Sequence, residues 1–67
     1  MERGIKLTLK AARVNVGLTQ TEVGKKLGKS KSTIIAWENG KREIDIANFD
    51  SLCRLYGVKR DDIILPF

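Results

Sequence analysis

Apolar residues recur at helical spacing along most of this chain, and short polar or glycine-containing stretches separate the runs. In the first run, the residues that share one helical face are Ile5, Leu9, Ala12 and Val16. Positions 5–11 also alternate between apolar and polar residues, as a strand would. We favour a helix there because residues 10–13 are good helix formers and because Gly17 offers the left-handed stop that often ends a helix.

A capping box begins the second predicted helix. Thr19 and Glu22 have the spacing at which each side chain accepts a hydrogen bond from the backbone N–H of the other residue. The helix is expected to run to about Leu27 and to end at Gly28. Val23 and Leu27 are four residues apart and therefore form its inner face.

A third helix is predicted over residues 31–38. Ser30 is a favourable N-cap, and Asn39-Gly40 is a strong stop. Ile34 and Trp37 are three residues apart and face the interior, so Trp37 is interpreted as a core residue rather than a stacking platform. Only three residues separate the second helix from the third, and the two helices must therefore cross at a large angle.

The fourth predicted helix begins after Asp45, which can cap it, and ends at Gly57. Its apolar stripe consists of Ile46, Phe49, Leu52, Cys53 and Tyr56. A last short helical turn begins near Asp61 and Asp62. The pattern predicts an all-α fold: one domain over residues 1–67, built as a compact bundle of five helices around one small core.

Positive charge is concentrated in one segment. The chain has 13 Lys+Arg and 8 Asp+Glu, which gives a formal net charge of +5. Residues 25–42 contain one acid, Glu38, and six basic residues: Lys25, Lys26, Lys29, Lys31, Lys41 and Arg42. The remaining seven basic and seven acidic residues cancel, so this segment accounts for the whole excess. A local basic surface suits the phosphate backbone of a nucleic acid.

Composition excludes several kinds of site. With no histidine and a single cysteine, Cys53, the chain has neither a disulfide framework nor a ligand set for structural zinc, and Cys53 is interpreted as a core residue. No apolar stretch approaches the roughly 18 residues of a membrane span, and the charged N-terminus is not typical of a secretory leader, so we expect a cytoplasmic protein. Without a histidine-based dyad, paired carboxylates or a Gly-rich phosphate loop, we expect no enzyme activity, cofactor, metal or small-molecule substrate.

A larger set of residues has the order and spacing of a known family: Arg13, Gly17-Leu18-Thr19-Gln20, Glu22, Leu27-Gly28, Ser30 through Ile34, Trp37 through Arg42 and Leu55 through Val58. In these positions the chain resembles the phage repressor and Cro type (XRE-like) of helix-turn-helix protein, from about Ile5 to Ile64. Because the caps and stops all fall in register, this pattern is far more specific than a lone short motif. The resemblance implies a lambda-repressor-like fold, in which the second and third helices form the helix-turn-helix.

The start of the third helix is expected to read bases. A helix N-terminus has free backbone N–H groups and a partial positive charge, which suit phosphate or base edges. By resemblance, the base-reading positions are Lys31, Ser32 and Ala36, with Thr33 at the edge of the groove. Lys31 can donate to guanine, and Ser32 can donate or accept. The methyl groups of Thr33 and Ala36 can contact thymine. The alternative for Lys31 is a contact with phosphate alone.

The residues expected to contact the phosphate backbone are Gln20, Ser30, Asn39, Lys41 and Arg42. By resemblance, Gln20 binds a phosphate while it supports the start of the third helix, and the alternative is an ordinary exposed glutamine. Lys41 and Arg42 are adjacent cations in a loop whose unpaired backbone N–H groups are expected to add phosphate ligands. The alternative is a solvated basic loop, in which Asn39 only ends the helix.

Three other positions have structural interpretations. The resemblance implies an ion pair between Arg13 and Glu38 that ties the first helix to the end of the third. Gly24 lies where the family usually has alanine, at the closest approach of the second and third helices, and glycine costs about 0.5–1 kcal/mol of helix stability there. Ile35 is expected to be partly covered by a neighbouring element, and the alternative is that it packs against sugar or thymine methyl groups of DNA.

These features favour a transcriptional regulator, more specifically a repressor, that binds double-stranded operator DNA with its third helix in the major groove. By resemblance it binds as a symmetric homodimer to half-sites about 34 Å apart. The expected dimer contact is the apolar C-terminal segment of Ile63, Ile64, Leu65 and Phe67, although this end can equally mark where a longer protein continues. The alternative function is a protein-interaction module of the same fold, whose basic helix docks an acidic partner such as an antirepressor, toxin or polymerase subunit.

Overall fold

The computed structural model describes residues 6–67 and places four α-helices in this part of the chain. They are α1 (Leu9–Asn15), α2 (Gln20–Leu27), α3 (Lys31–Glu38) and α4 (Ile46–Tyr56). The all-helical class is confirmed for residues 6–67, but the prediction of five helices is not, because the last element, Arg60–Asp62, is a three-residue 3-10 turn. Within the same range, no helix is both long enough and apolar enough to span a membrane.

The segment before α1 is extended rather than helical. Leu7 forms an isolated parallel β-bridge with Ile63. The backbone N–H of Leu7 donates to the carbonyl oxygen of Asp62 (2.7 Å), and the N–H of Ile64 donates to that of Leu7 (2.8 Å). The helical prediction is therefore wrong at Leu7, where the strand-like alternation was the better indicator. Ile5, the first residue of the predicted helical face, lies outside the described residues.

One buried cluster holds the helices together. Its members are Leu9, Ala12, Val23, Ile34, Trp37, Phe49, Leu52, Cys53, Tyr56 and Ile63. The prediction that Trp37 and Cys53 are core residues is confirmed, and burial raises the pKa of the Cys53 thiol. Two predicted core positions are wrong: Val16 is 44% exposed and Ile46 is 67% exposed. Val16 follows the last residue of α1 and leaves the helical face, and Ile46 is the first residue of α4.

Local side-chain caps fix the boundaries of α2 and α3 where the sequence predicts them. Thr19 Oγ1 accepts from the backbone N–H of Glu22 (3.1 Å), and Glu22 Oε1 accepts from that of Thr19 (2.8 Å). The hydrogen bonds from Thr19 lower the pKa of Glu22. Gly28 ends α2 in the left-handed conformation, with φ 70°. Ser30 then starts α3, because its Oγ accepts from the N–H of Thr33 (3.2 Å).

Asp45 occupies the N-cap position of α4, but its side chain makes no capping hydrogen bond. Its Oδ1 instead accepts from Nδ2 of Asn48 (2.5 Å), and this bond lowers the pKa of Asp45, with a smaller contribution from the charge of Lys29. The predicted side-chain cap is therefore wrong, because the amide of Asn48 in the first turn replaces the backbone donor.

The C-terminal segment divides into packed and exposed side chains. Ile63 is buried in the core, and Leu65 packs against it. Ile64 and Phe67 are 52% and 43% exposed. Two of the four residues predicted for a dimer contact are therefore packed inside this chain, and only Ile64 and Phe67 of that set are exposed.

The turn between α2 and α3 passes very close to the backbone of α2. The N–H of Lys29 donates to the carbonyl oxygen of Gly24 (2.7 Å). A Cβ atom at position 24 would lie 2.6 Å from the carbonyl oxygen of Lys29 and 3.4 Å from the carbonyl carbon of Ser30. The close turn thus gives a physical reason for glycine at the position where the family usually has alanine.

We expect Gly24→Ala to lower the free energy of unfolding by about 1 kcal/mol. Crowding against backbone costs about 1–3 kcal/mol, and the better helix propensity of alanine, worth about 1 kcal/mol, offsets only part of that. Urea unfolding followed by the fluorescence of the single tryptophan, Trp37, measures the change. Lys25→Ala is the matched control, since Lys25 is the next residue of α2 and is exposed. A gain of stability in Gly24→Ala would contradict the expected crowding.

Candidate nucleic-acid interface

One side of α3 is fixed in the core and the other is accessible. Ile34 and Trp37 are 1% and 3% exposed, so they hold the helix in place. The exposed or half-buried residues of the remaining surface are Lys31, Ser32, Thr33, Ile35 and Ala36. All four predicted base-reading residues belong to this accessible surface, and Lys31 and Ser32 are its most exposed members in the first turn. Ile35 is half-buried, as expected for a residue partly covered by a neighbour.

The N-terminus of α3 keeps hydrogen-bond donors available to a ligand. The N–H groups of Lys31 and Ser32 precede the first helical donor, the N–H of Thr33, and have no helical partner. The Oγ atoms of Ser30 and Thr33 lie 3.1 Å apart, and either hydroxyl can be the donor. When Thr33 donates, the Ser30 proton is free for another acceptor. A serine that caps a helix can therefore also donate to a phosphate oxygen.

The turn over residues 39–42, here called the phosphate turn, directs its backbone donors back onto α3. The N–H groups of Asn39 and Gly40 donate to the carbonyl oxygens of Ile35 (3.0 Å) and Trp37 (3.4 Å). Those of Lys41 and Arg42 both donate to the carbonyl oxygen of one residue, Ala36, at 2.9 and 3.3 Å. The expectation of unpaired loop amides is therefore wrong. The exposed side chains of Asn39, Lys41 and Arg42 remain as candidate phosphate ligands.

Arg13 and Glu38 form a buried ion pair that joins α1 to the end of α3. Arg13 Nε donates to Glu38 Oε2 (2.7 Å), and Arg13 Nη2 donates to Oε1 (3.2 Å). The two side chains are only 8% and 4% exposed. The remaining guanidinium nitrogen, Nη1, donates to the carbonyl oxygen of Leu18 (2.8 Å), next to the start of α2. The hydrogen bond to Glu38 raises the pKa of Arg13 above its ordinary value.

Gln20 belongs to the same network. Its Nε2 donates to Glu38 Oε1 (3.0 Å), so the first residue of α2 is tied to the last residue of α3. This contact, between residues 18 positions apart, was missed by sequence reasoning. A buried carboxylate needs donors for both oxygens, but that requirement alone does not identify Gln20. Gln20 is half-buried, and its amide nitrogen has a second hydrogen that remains available as a donor while the first is bonded to Glu38.

Tyr56 is buried near this network, and the charges of Glu38 and Arg13 both affect the pKa of its hydroxyl group. The pKa of Tyr56 is raised to about 12, mainly by burial; the charge of Glu38 contributes to this increase and that of Arg13 opposes it. Among residues 6–67, no protein group hydrogen-bonds the Tyr56 hydroxyl. Tyr56 therefore stays protonated at neutral pH and acts as a core residue.

The accessible charge of the basic segment is larger than the sequence count indicates. All six basic residues of positions 25–42 are exposed. The one acid in this range, Glu38, is buried and paired with Arg13, which lies outside it. Residues 25–42 therefore carry six exposed cations and no exposed carboxylate side chain. Of these cations, Lys29 also helps to lower the pKa of Asp45, which lies just beyond the segment.

Comparisons with known proteins agree with this geometry. Residues 9–63 match the helix-turn-helix family. The chain is also similar to an uncharacterized HTH-type transcriptional regulator of Methanocaldococcus jannaschii, with 39% identity over 61 residues that cover 91% of this chain and 92% of that protein. The family match includes α1 to α4 and the 3-10 turn, and hence every helix that contributes to the candidate interface.

Proposed function

Because this chain belongs to the helix-turn-helix family of the phage repressor and Cro type, we propose that it is a transcriptional regulator that binds double-stranded DNA sequence-specifically. The observation that carries this proposal is the arrangement of α3, whose first turn exposes Lys31 and Ser32 while Ile34 and Trp37 fix the opposite side in the core. A helix held in this way can enter the major groove without rearrangement of the domain.

Sequence preference is assigned to the accessible surface of α3. Lys31 donates to O6 or N7 of guanine, and Ser32 donates to or accepts from an adjacent base edge. Thr33 and Ala36 are half-buried, which leaves their methyl groups able to contact the methyl group of thymine but not to reach far into the groove. We therefore assign most of the base discrimination to Lys31 and Ser32.

Phosphate contacts flank α3 at both ends. Ser30 and the amide of Gln20 serve the N-terminal side, where free N–H groups and the helix dipole also favour an anion. Asn39, Lys41 and Arg42 serve the phosphate turn through their side chains. These contacts set the orientation of α3 in the groove and carry no sequence information of their own.

A dimer is proposed because one domain of this size reads only a few base pairs. Ile64 and Phe67 are the exposed large apolar residues of the C-terminal segment, and we assign the isologous contact to them. Two copies would then bind half-sites about 34 Å apart on one side of the duplex. We propose repression as the regulatory outcome, since a small bound domain acts most simply by occupying DNA that the transcription machinery needs.

Selection from a random DNA pool tests sequence-specific binding. We expect the wild type to enrich one motif, and Lys31→Ala combined with Ser32→Ala to lose discrimination at the contacted base pairs by about 5- to 150-fold, which corresponds to 1–3 kcal/mol per specific contact. Lys10→Ala is the charge-matched control, because Lys10 is an exposed lysine of α1. Enrichment of the same motif by the double variant would overturn the assigned base contacts. Failure of the wild type to enrich any motif would favour docking of an acidic protein partner.

A further inference from the structure

We propose that the C-terminal tail, residues 64–67, positions the phosphate turn through a contact between Pro66 and Gly40. The inference rests on the proposed DNA-binding function and adds a residue to it that lies outside the helix-turn-helix. Pro66 is a positioning residue here: it touches no DNA, and it acts through the backbone that carries Asn39, Lys41 and Arg42.

The contact is direct and close. A Cβ atom built on Gly40 would lie 2.9 Å from the carbonyl oxygen of Pro66, 3.1 Å from its Cβ and 3.4 Å from its Cγ. The backbone of Gly40 is left-handed, with φ +74°. Gly17, Gly28 and Gly57 also have a positive φ angle, but a Cβ atom at any of them would meet nothing within 4 Å. Among these four glycines, Gly40 alone is constrained by a neighbour as well as by its own φ.

The tail is anchored independently of the phosphate turn. Ile63 is 8% exposed in the core, the N–H of Ile64 is bonded to Leu7, and Leu65 packs against the core cluster. Pro66 follows directly, and its ring fixes its own φ near −65°. The anchored residues before Pro66 therefore set the position from which its ring meets Gly40.

Loss of this surface would loosen the residues on both sides of Gly40. Glycine has more backbone freedom than any other residue, and here it separates Asn39 from Lys41 and Arg42. Their phosphate contacts depend on side chains alone, since the backbone N–H groups of the turn are bonded to α3. These hydrogen bonds restrain one side of the turn and Pro66 restrains the other. Without Pro66 the side chains lie on a less restricted turn and must be ordered further when they bind, and that entropy cost weakens each contact.

Pro66→Gly is the decisive variant, because it removes the ring while it retains Ile64 and Phe67 for the proposed dimer contact. Binding to a fluorescent mixed-sequence duplex is measured from 50 to 200 mM salt. We expect the slope of log affinity against log salt to decrease in magnitude by about 1 to 2, as for the loss of one or two phosphate contacts, with binding about tenfold weaker at 100 mM salt. Sedimentation at the same concentrations must show an unchanged oligomeric state.

Gly40→Ala is a second test of the contact, and Gly57→Ala is its matched control. Both place alanine at a left-handed glycine, with similar backbone strain, but only the methyl group at position 40 meets Pro66. Gly40→Ala is expected to reduce the salt slope as Pro66→Gly does, because its methyl group displaces the carbonyl oxygen and ring of Pro66 from the phosphate turn. Gly57→Ala is expected to lower the melting temperature and leave the slope unchanged. If Pro66→Gly does not fold, Gly40→Ala gives the same test from the other side of the contact.

The outcomes separate this inference from the proposed function. A wild type that does not bind duplex DNA in a salt-dependent manner removes the function and the inference together. A wild type that binds with a steep slope, together with folded Pro66→Gly and Gly40→Ala variants whose slopes and affinities stay within twofold of it, removes the inference and leaves DNA binding in place.

Discussion

Glu38→Ala is expected to lower the free energy of unfolding by about 3–5 kcal/mol, the usual cost of removing one partner of a buried ion pair. The variant leaves Arg13, whose side chain is 8% exposed in the wild type, charged and with only the Leu18 carbonyl oxygen as a partner. It also removes the acceptor of Gln20. A domain of this size has a total stability of only about 3–10 kcal/mol, so much of the population is expected to unfold at 37 °C.

Urea unfolding monitored by the fluorescence of buried Trp37 measures this loss. Glu43→Ala is the matched control, because Glu43 is an exposed acid and surface substitutions usually change stability by less than about 0.5 kcal/mol. The double variant Arg13→Met with Glu38→Leu removes both charges, and we expect it to recover much of the stability. If Glu38→Ala and Glu43→Ala had equal midpoints, the buried pair would not contribute as described.

Features set by neighbouring residues were predictable from the sequence. The capping box of Thr19 and Glu22, the N-cap at Ser30 and the stop at Gly28 each depend on groups within four positions, and the structure places α2 and α3 within the expected bounds. The core side of α3 also followed from the spacing of Ile34 and Trp37. A local pattern is sufficient where the competing conformations differ in local hydrogen bonds.

Features that depend on distant residues were not predictable. The extended conformation of Leu7 results from pairing with Ile63, which is 56 positions away, and helical spacing alone gave the wrong answer there. Asp45 failed as a side-chain cap because Asn48 competes for its carboxylate. In both cases the sequence indicates which hydrogen bonds a group can form, but the folded structure determines which partner lies within reach.

The candidate interface shows the same division. The exposure of Lys31 and Ser32 follows from helical periodicity, whereas the hydrogen bond between Gln20 and Glu38 and the contact between Pro66 and Gly40 do not. The paired backbone amides of the phosphate turn depend on how the chain folds back after α3, which no residue spacing specifies. Residue identities therefore located the interface, and tertiary contacts determined which of its groups remain free.

The affinity for duplex DNA is expected to fall by about 10³- to 10⁵-fold between 50 and 200 mM salt, provided that about 6 to 10 phosphates are neutralised in the bound complex. Six exposed cations lie within residues 25–42, and the only acid of that range is buried in a pair with Arg13. Because bound cations release counterions from the duplex, the logarithm of affinity decreases linearly with the logarithm of salt concentration.

Single charge removals distinguish a local interface from a general attraction between a basic protein and DNA. Lys41→Ala and Arg42→Ala are each expected to reduce the magnitude of the salt slope by about 1, as for one lost phosphate contact. Lys59→Ala removes the same charge from an exposed position outside the basic segment and is expected to leave the slope unchanged. Equal slopes for the three variants would show that net charge, rather than the segment around α3, determines binding, because a diffuse attraction does not depend on which cation is removed.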